Sequence, residues 1–363
     1  MKRQLFTTTA LVTAGVLASS VAHAEEGITL GLGGYMNNYF GVLFDHNEDT
    51  AVDRNATGLF SDGEIWFKGE TTLDNGITFG ANVQLESFGN TGDIIDEDFV
   101  YISGNFGRVN IGSENGAMYL MHYAAPYVGV PINTGWVSTF IPADGTSRVG
   151  AFRTPEVSTY IDVGNDENVI TYFSPRFSGF QVGVTYAPAV VGSANGKDFP
   201  VEADNETEFN NGFSVGANFV ESFEGFDIAV SGGYGRAEAP DAFNIDDQEM
   251  WNAGINVGFA GFTVGGSYAN RDDDTMDGDS WQVGGTYATG PWSVGVTYFH
   301  SDVDFLPGSA LEFNNESDVF QGGIGYSIGP GIDSSVNVMY ADYDTDGGDA
   351  DGIVGIVGIT YSF

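Results

Sequence analysis

The sequence predicts an all-β protein, a transmembrane β-barrel of sixteen antiparallel strands whose long third loop folds into the lumen. Three observations lead to this prediction. Apolar and polar residues alternate with a period of two through most of the chain, as they do in strands with one apolar and one wetted face. The connections between these segments are alternately short and long. Beyond residue 24, no apolar run approaches the roughly 20 residues that a membrane-spanning helix needs.

Residues 1–24 are predicted to be a secretory signal peptide. Lys2 and Arg3 form a positive start, the residues from Ala10 to Ala18 are a short apolar run, and Ala22-His23-Ala24 is an A-x-A cleavage signature. A membrane anchor would be longer and differently flanked. We therefore expect an exported protein whose single barrel domain comprises residues 25–363.

The composition excludes several classes of function. The chain has 11 Lys and Arg against 50 Asp and Glu, a formal net charge of −39, whereas a nucleic-acid binder needs clustered cations. It has no Cys, which excludes disulfide frameworks, Cys–zinc sites and thiol catalysis. Its 53 Gly are unfavourable for helices, and 14% aromatic residues are too many for a disordered chain.

Sixteen segments carry the alternation. Every odd position of Ile77–Leu85 is apolar and every even one is Thr, Gly, Asn or Gln, and Trp251–Phe259 has the same pattern. The fourth and sixth segments are apolar on both faces. The predicted strands are residues 28–40, 62–72, 77–88, 98–105, 107–113, 168–174, 180–187, 213–219, 226–235, 250–259, 262–269, 279–288, 292–301, 317–328, 332–342 and 353–363.

The connections predict that all long loops lie at one end of the sheet. Residues 73–76, 105–107, 260–261, 289–291 and 329–331 have the Gly or Pro chemistry of tight turns. The long connections hold about 40 of the 50 acidic residues, and 271–277 and 342–351 are typical of them. Hairpins that all point the same way would gather these acids at one rim.

The nature of the two faces predicts a membrane barrel. The polar face is built of Thr, Ser, Asn, Gln and Gly, and the apolar face places Phe180, Phe226, Phe262 and Trp292 next to short turns, where an aromatic girdle would meet the membrane interface. Backbone groups in lipid must all be paired, so the sheet has to close, and about sixteen strands leave an aqueous lumen. The alternative is a secreted β-sandwich or solenoid.

The third long loop, residues 114–167, is far longer than an ordinary connection. From Ala117 to Ala143 it contains no charged residue but several aromatic ones, which need to be buried. We expect this half to fold against the inner wall of the barrel. The alternatives are a lid on the outer rim and a contact between subunits.

The charged residues of this loop and of the neighbouring wall predict the constriction. Alternation turns Glu64, Lys68 and Glu70 inward, with Arg108 and Glu86 on nearby strands, because a charge facing lipid costs a few kcal/mol. Lys68 and Arg108 on the wall would face acids of the loop and create a transverse field. Arg148 and Arg153 either join them or hold the loop by salt bridges. The loop acids in question are Asp144, Glu156 and Asp162.

Three segments resemble the general diffusion porins of the Gram-negative outer membrane, in the style of alphaproteobacterial trimeric porins. They are YISGNFGRVNIG at 101–112, ITYFSPRFSGFQVGVTY at 170–186 and GIVGIVGITYSF at 352–363. The resemblance implies a sixteen-stranded barrel, a homotrimer in contact with outer-membrane lipid and lipopolysaccharide, and a third loop that narrows the pore. It also implies that terminal Phe363, with Tyr361, is an assembly signal. The chain departs from this family in its scarcity of bases.

Other motifs carry little chemistry. Asp342–Gly347 matches the start of an EF-hand loop, but its twelfth position is Ile353. Gly212–Gly216 fits G-x-S-x-G, yet the Ser lies in mid-strand, away from any strand–turn–helix. His46, His122 and His300 are too scattered for a metal site, and His122 is expected to pack as a neutral residue. We expect no enzyme and no cofactor, although acidic loops could bind Ca²⁺ or Mg²⁺.

These observations favour a water-filled channel for passive diffusion of small hydrophilic solutes and ions. Acidic rings at a pore mouth enrich cations, so we expect weak cation selectivity. The alternative is a channel specific for a sugar or nutrient ion, with Tyr119, Tyr123 and Trp136 as stacking platforms. A barrel enzyme and an adhesive barrel with a plugged lumen are the remaining hypotheses.

Overall fold

In the computed structural model, sixteen antiparallel strands form one closed barrel in which each strand pairs with its sequence neighbours and the first pairs with the last. The structure describes residues 27–48, 55–88, 95–134, 137–142, 158–164, 166–190, 209–240, 245–305, 313–346 and 348–363. The predicted signal peptide lies outside them. No helix among these residues is long and apolar enough to cross a membrane. The predicted fold class is confirmed.

The elements follow the chain in the predicted order. The strands are β1 Thr29–Glu48, β2 Thr57–Thr72, β3 Thr78–Glu86, β4 Ile95–Gly104, β5 Gly107–Ser113, β6 Asn168–Phe173, β7 Phe180–Val190, β8 Phe209–Phe223, β9 Phe226–Glu238, β10 Gln248–Phe259, β11 Phe262–Asp273, β12 Met276–Thr289, β13 Trp292–Phe305, β14 Phe313–Gly329, β15 Ile332–Thr345 and β16 Ala350–Ser362. Two short helices, α1 Ala117–Leu120 and α2 Val137–Phe140, lie in the third loop.

The prediction of strictly alternating short and long connections is wrong at the β11–β12 hairpin. Residues 271–277, expected as a long acidic loop, belong to β11 and β12 except for Asp274 and Thr275. The Asp273 carboxylate closes this turn by accepting hydrogen bonds from the backbone N–H groups of Thr275 (2.8 Å) and Met276 (3.1 Å). An acidic run can thus make a tight turn, because Asp caps free backbone donors.

The second acidic segment expected as a loop, 342–351, is also largely strand. Strand β15 continues to Thr345 and β16 begins at Ala350. The residues that resemble an EF-hand therefore lie mostly in an extended ladder, which cannot wrap around a calcium ion.

The outer face is apolar and bounded by two aromatic belts. Next to the short turns, Phe226 packs on Phe259 and Phe262 on Tyr287, with ring centroids 4.8 and 4.5 Å apart. Phe180 and Trp292 take part in equivalent pairs, so all four predicted girdle residues lie on the outer face at this end. The second belt, nearer the loops, was not predicted. It consists of Trp251, Tyr268, Trp281, Tyr298 and Phe320.

The largest apolar core lies inside the barrel. Val130, Ile132 and Ile141 of the third loop pack against inward-facing residues of β13 to β16 and β1, among them Phe299 and Met339. The wall therefore has lipid-facing apolar residues on one side and, over part of its circumference, a packed protein core on the other.

Candidate functional site

The third loop lies across the inner wall of the barrel at mid-height. Its outgoing limb, residues 114–142 with 135 and 136 outside the described part, contacts β7 first, where the Ala117 N–H donates to the Thr185 hydroxyl at 2.7 Å. It then passes β8 to β15 and reaches β1 and β2, where Phe140 packs edge-on against Tyr39 and Phe60. The wall residues that it touches alternate with exposed, lipid-facing ones. The prediction that the loop enters the lumen is confirmed for the described residues.

Side-chain donors of the wall hold the outgoing limb. Asn256 donates to the Ala124 carbonyl at 2.9 Å, and the Thr297 hydroxyl donates to the Pro126 carbonyl at 3.0 Å. Further along, Asn337 donates to the Val128 carbonyl at 2.6 Å. Irregular backbone buried away from water needs such partners, since unpaired polar groups are costly. The polar inner face therefore serves as the binding surface for the loop.

The return limb, residues 158–167 with residue 165 outside the described part, is tied to the outgoing limb. The Asp162 carboxylate accepts backbone hydrogen bonds from Tyr119 at 3.2 Å and from Val163 at 2.7 Å. The rings of Tyr119 and Tyr160 pack with centroids 5.2 Å apart. Burial raises the pKa of Asp162 to about 6, and these hydrogen bonds partly offset the shift.

His122 is buried where the two limbs meet. Its Nε2 lies 3.1 Å from the Thr159 hydroxyl, and its ring packs edge-on against Tyr160. Burial lowers the pKa of His122 to about 3. The imidazole is therefore neutral over the physiological range and packs the loop.

Charged side chains line the opposite part of the wall, on β2 to β5. Phe60 of β2 contacts the loop, so the even positions of that strand, including Glu64, Lys68 and Glu70, face the lumen. Glu86 lies directly opposite Glu64 in the β2–β3 ladder.

The two wall cations are held by aromatic rings. The Arg108 guanidinium lies 4.0 Å from the ring centroid of Tyr101 and donates to Asn110 at 2.6 Å. The Lys68 ammonium lies 5.8 Å from the Trp66 centroid. Neither forms an ion pair with any residue that the structure describes.

Carboxylates outnumber these cations. Glu64 accepts hydrogen bonds from Tyr35 at 3.0 Å and from the Trp66 indole at 2.7 Å, and Glu70 accepts one from Tyr101. Ligand atoms of Glu64, Glu86 and Asp96 all lie within 4.8 Å of one another, a spacing that offers oxygen ligands to a cation. The outward-facing group His300, Glu316 and Asp318 has the same spacing. The expectation of Ca²⁺ or Mg²⁺ at acidic positions stays a prediction.

Two acids at the root of the loop lie next to this wall. Burial raises the pKa of Glu114 to about 7. Burial also raises the pKa of Asp166 to about 7, helped by the negative charges of Asp96 and Glu64. Both carboxyls change charge near neutral pH.

The structure brings together one half of the predicted constriction. The side chains of Lys68, Arg108, Glu64, Glu70 and Glu86 lie on one part of the wall, on strands β2, β3 and β5, whereas Asp162 is engaged within the loop. Four predicted residues lie outside the described part of the chain: Asp144, Arg148, Arg153 and Glu156.

Sequence reasoning missed the residues that seat the loop. They are amides and glycines at alternate positions of the inner face, as in Asn252, Gly254 and Asn256 of β10. Sequence reasoning had classed this face only as wettable. The sequence signal that identifies the loop-binding surface is a recurring pattern in which an amide or hydroxyl side chain stands two residues from a glycine on the same strand.

The comparisons agree with this geometry. A family model described as Gram-negative porin matches residues 7–348. The monosaccharide porin of a Halomonas species is 23% identical over 331 residues, covering 84% of this chain and 80% of that protein.

Two solved structures share the fold. The anion-selective porin from Comamonas acidovorans aligns with a TM-score of 0.63 at 17% identity, covering 93% of this chain and 99% of that one. The trimer form of OmpT from Vibrio cholerae aligns with a TM-score of 0.58 at 14% identity, covering 93% and 100%.

Proposed function

The chain belongs to the Gram-negative porin family and forms an outer-membrane channel for passive diffusion, and we propose that this channel is weakly cation-selective. Proteins of this family are channels, not enzymes. The observation that carries the proposal is the excess of carboxylates over cations among the described residues of the wall of β2 to β5. Glu64, Glu70 and Glu86 there are joined by Asp166 of the loop root, against Lys68 and Arg108.

The proposed path runs between the third loop and the wall of β2 to β5. The described part of the loop packs against β7 to β16, β1 and Phe60 of β2, and we place the path of solutes along the charged side. Negative potential in a narrow aqueous path enriches cations and depletes anions, and the two aromatic-held cations moderate this effect. We expect the preference for cations over anions to weaken as the salt concentration rises, because the Debye length falls from about 10 Å at 0.1 M to about 3 Å at 1 M.

The fold alone does not set selectivity. The Comamonas protein with the same barrel is described as anion-selective. We therefore attribute selectivity in this chain to the side chains that line the path, of which the described part contains few cations.

Reversal potential in a planar bilayer under a KCl gradient tests the proposal. We expect ohmic single-channel steps and a reversal potential of the sign that indicates K⁺ preference. A reversal potential at zero or of the opposite sign would contradict cation selectivity. A folded barrel that gives no steps would contradict the channel function itself.

A sugar-specific channel is the second candidate. Its support is the name of the Halomonas relative, together with Trp66 and Tyr101, aromatic residues of the wall beside hydrogen-bonding carboxylates. The earlier candidate Tyr119 packs against Tyr160, and Trp136 lies outside the described residues. Saturable, monosaccharide-dependent block of the KCl current would favour this candidate, and unsaturated diffusion of sugars would exclude it.

We further propose a homotrimer that assembles through the side of β1 to β5. The outer face there carries exposed Leu30, Leu59 and Phe67, and next to them the short strands β3 to β6 make a low stretch of wall. The opposite side, with its two aromatic belts, would face lipid and lipopolysaccharide. Light scattering in detergent is expected to give three copies, and a monomeric mass would contradict the assembly.

A further inference from the structure

Four glycines of the inner wall lie directly beneath the backbone of the third loop. They occupy alternate strands β8, β10, β12 and β14. A methyl carbon placed on any of them would come within 3.0 Å of a backbone carbonyl oxygen of the loop, a separation that real side chains essentially never show. We name this set the glycine track: Gly216 beneath Ala117, Gly254 beneath Tyr123, Gly284 beneath Pro126, and Gly323 beneath Val128.

The close approach allows hydrogen bonds from the neighbouring wall residues. On β10, the flanking Asn256 donates to the Ala124 carbonyl at 2.9 Å. On β8, Asn218, two residues from Gly216, donates to the Met121 carbonyl at 3.2 Å. Short side chains reach these carbonyls only because the loop backbone rests on glycine, which has no Cβ to hold it away.

The loop depends on this contact because it lacks internal structure there. After α1, residues 122–134 form no helix or strand, and their carbonyls have few partners within the loop. The loop itself bends to fit: Gly129 has φ +80°, and a side chain there would collide with Asn337 and Ser335. The distance between loop and wall is thus set mainly by the wall.

We propose that the glycine track positions the third loop and thereby sets the bore of the channel. This inference rests on the proposed path between the loop and β2 to β5. A methyl group on the track pushes the loop backbone away from the wall behind it. Because the wall blocks movement on one side, the displaced loop moves toward the opposite wall and narrows the path.

The chain provides matched controls one residue away. Gly285 and Gly322 are neighbours of Gly284 and Gly323 but point to the other face. A methyl carbon on Gly322 would meet nothing within 4 Å, and one on Gly285 would meet atoms no nearer than 3.8 Å. Each pair carries the same chemical change on the same strand, so effects on barrel folding are matched.

The first test compares Gly284→Ala with Gly285→Ala and Gly323→Ala with Gly322→Ala. We measure single-channel conductance in KCl and the rate of liposome swelling with sugars of increasing size. The narrower path is expected to lower conductance and to exclude the larger sugars first, while both controls match the unmodified protein. Equal conductance and equal swelling rates for the two variants of each pair would overturn the proposal.

A second measurement does not depend on conduction. Crystal structures of the Gly254→Ala and Gly284→Ala proteins are expected to show the backbone at Tyr123 and Pro126 moved about 1 Å from the wall. An unmoved loop would overturn the proposal even if conductance changed. If the unmodified protein folds but gives no channel conductance, the channel function is overturned. The crystal structures would still decide whether the glycine track positions the loop.

Discussion

The guanidinium of Arg108 lies 4.0 Å from the ring centroid of Tyr101, on the charged wall of the lumen. The Tyr101 hydroxyl donates to Glu70, and the Arg108 Nε donates to Asn110. An aromatic ring thus holds this cation close to a carboxylate without forming an ion pair among the described residues. The positive charge keeps its effect on passing ions, and its side chain stays fixed.

The first prediction concerns the two wall cations. Replacing both Lys68 and Arg108 by Gln is expected to increase the K⁺ preference, because the wall then loses two positive charges that oppose its carboxylates. The reversal potential in a KCl gradient should shift further in the cation direction. The control is Arg236→Gln, which removes a cation at an exposed ion pair with Asp247. An equal shift in this control would argue for general surface charge.

The second prediction concerns the wall carboxylates. Glu64→Gln, Glu70→Gln and Glu86→Gln combined should reduce or abolish cation selectivity, because Lys68 and Arg108 then face fewer negative charges. The substitutions keep side-chain size. Glu249→Gln, on the outer face of β10, is the matched control and should leave the reversal potential unchanged. Retained selectivity in the triple variant would place its source at the loops.

The third prediction concerns pH and selectivity. Burial raises the pKa of Glu114 and of Asp166 to about 7, so both are charged well above pH 7 and neutral well below it. Cation preference should therefore weaken as pH falls from 8 to 5. The double variant Glu114→Gln with Asp166→Asn should have a flatter pH profile over this range. An unaltered profile would contradict the assignment.

The same shifts predict the pH dependence of stability. A raised pKa means that the fold favours the neutral acid, so the stabilisation is fully present below the unfolded-state pKa and is lost as pH rises through about 7. The temperature at which the barrel unfolds in detergent should be higher at pH 5 than at pH 8. The double variant should lose part of this difference, and the part that remains is expected to include Asp162, because burial raises the pKa of Asp162 to about 6.

The fourth prediction concerns the tie between the loop limbs. Asp162→Ala removes the acceptor of the Tyr119 and Val163 N–H groups and should cost about 2 kcal/mol locally, since buried donors lose their partner. The expected readout is a noisier open-channel current with an intact barrel. Asp162→Asn keeps one acceptor oxygen and should be milder. Quiet currents in the Ala variant would contradict this role.

The strands were predictable because lipid imposes a strict rule on the wall. Every second residue must be apolar wherever the barrel crosses the membrane, so all sixteen strands were found in order, including the fourth and sixth. The ends of the strands on the loop side of the barrel were not predictable. Strand β1 was predicted to end at residue 40 but continues to Glu48, and β14 begins at Phe313 instead of 317. Backbone pairing continues above the membrane, where polar residues occupy both faces and alternation disappears.

The charged wall was also predictable, since the cost of a charge in lipid turns Lys68 and Arg108 inward. The position of Asp162 inside the loop could not be predicted. A carboxylate that accepts backbone hydrogen bonds has the same sequence signature as one that faces a pore. The glycine track could not be predicted either, because the residues near Gly254 do not indicate which distant segment of the chain packs against this strand.

The sequence by itself determined the barrel, its strand order, the end that carries the loops and the inward charges. These follow from period-two alternation, which is local and is imposed by the membrane. The tertiary structure alone decided where the described part of the third loop rests and which strands it packs against. That choice depends on contacts between residues as far apart as Val128 and Asn337, and such contacts arise only when the barrel closes around the loop.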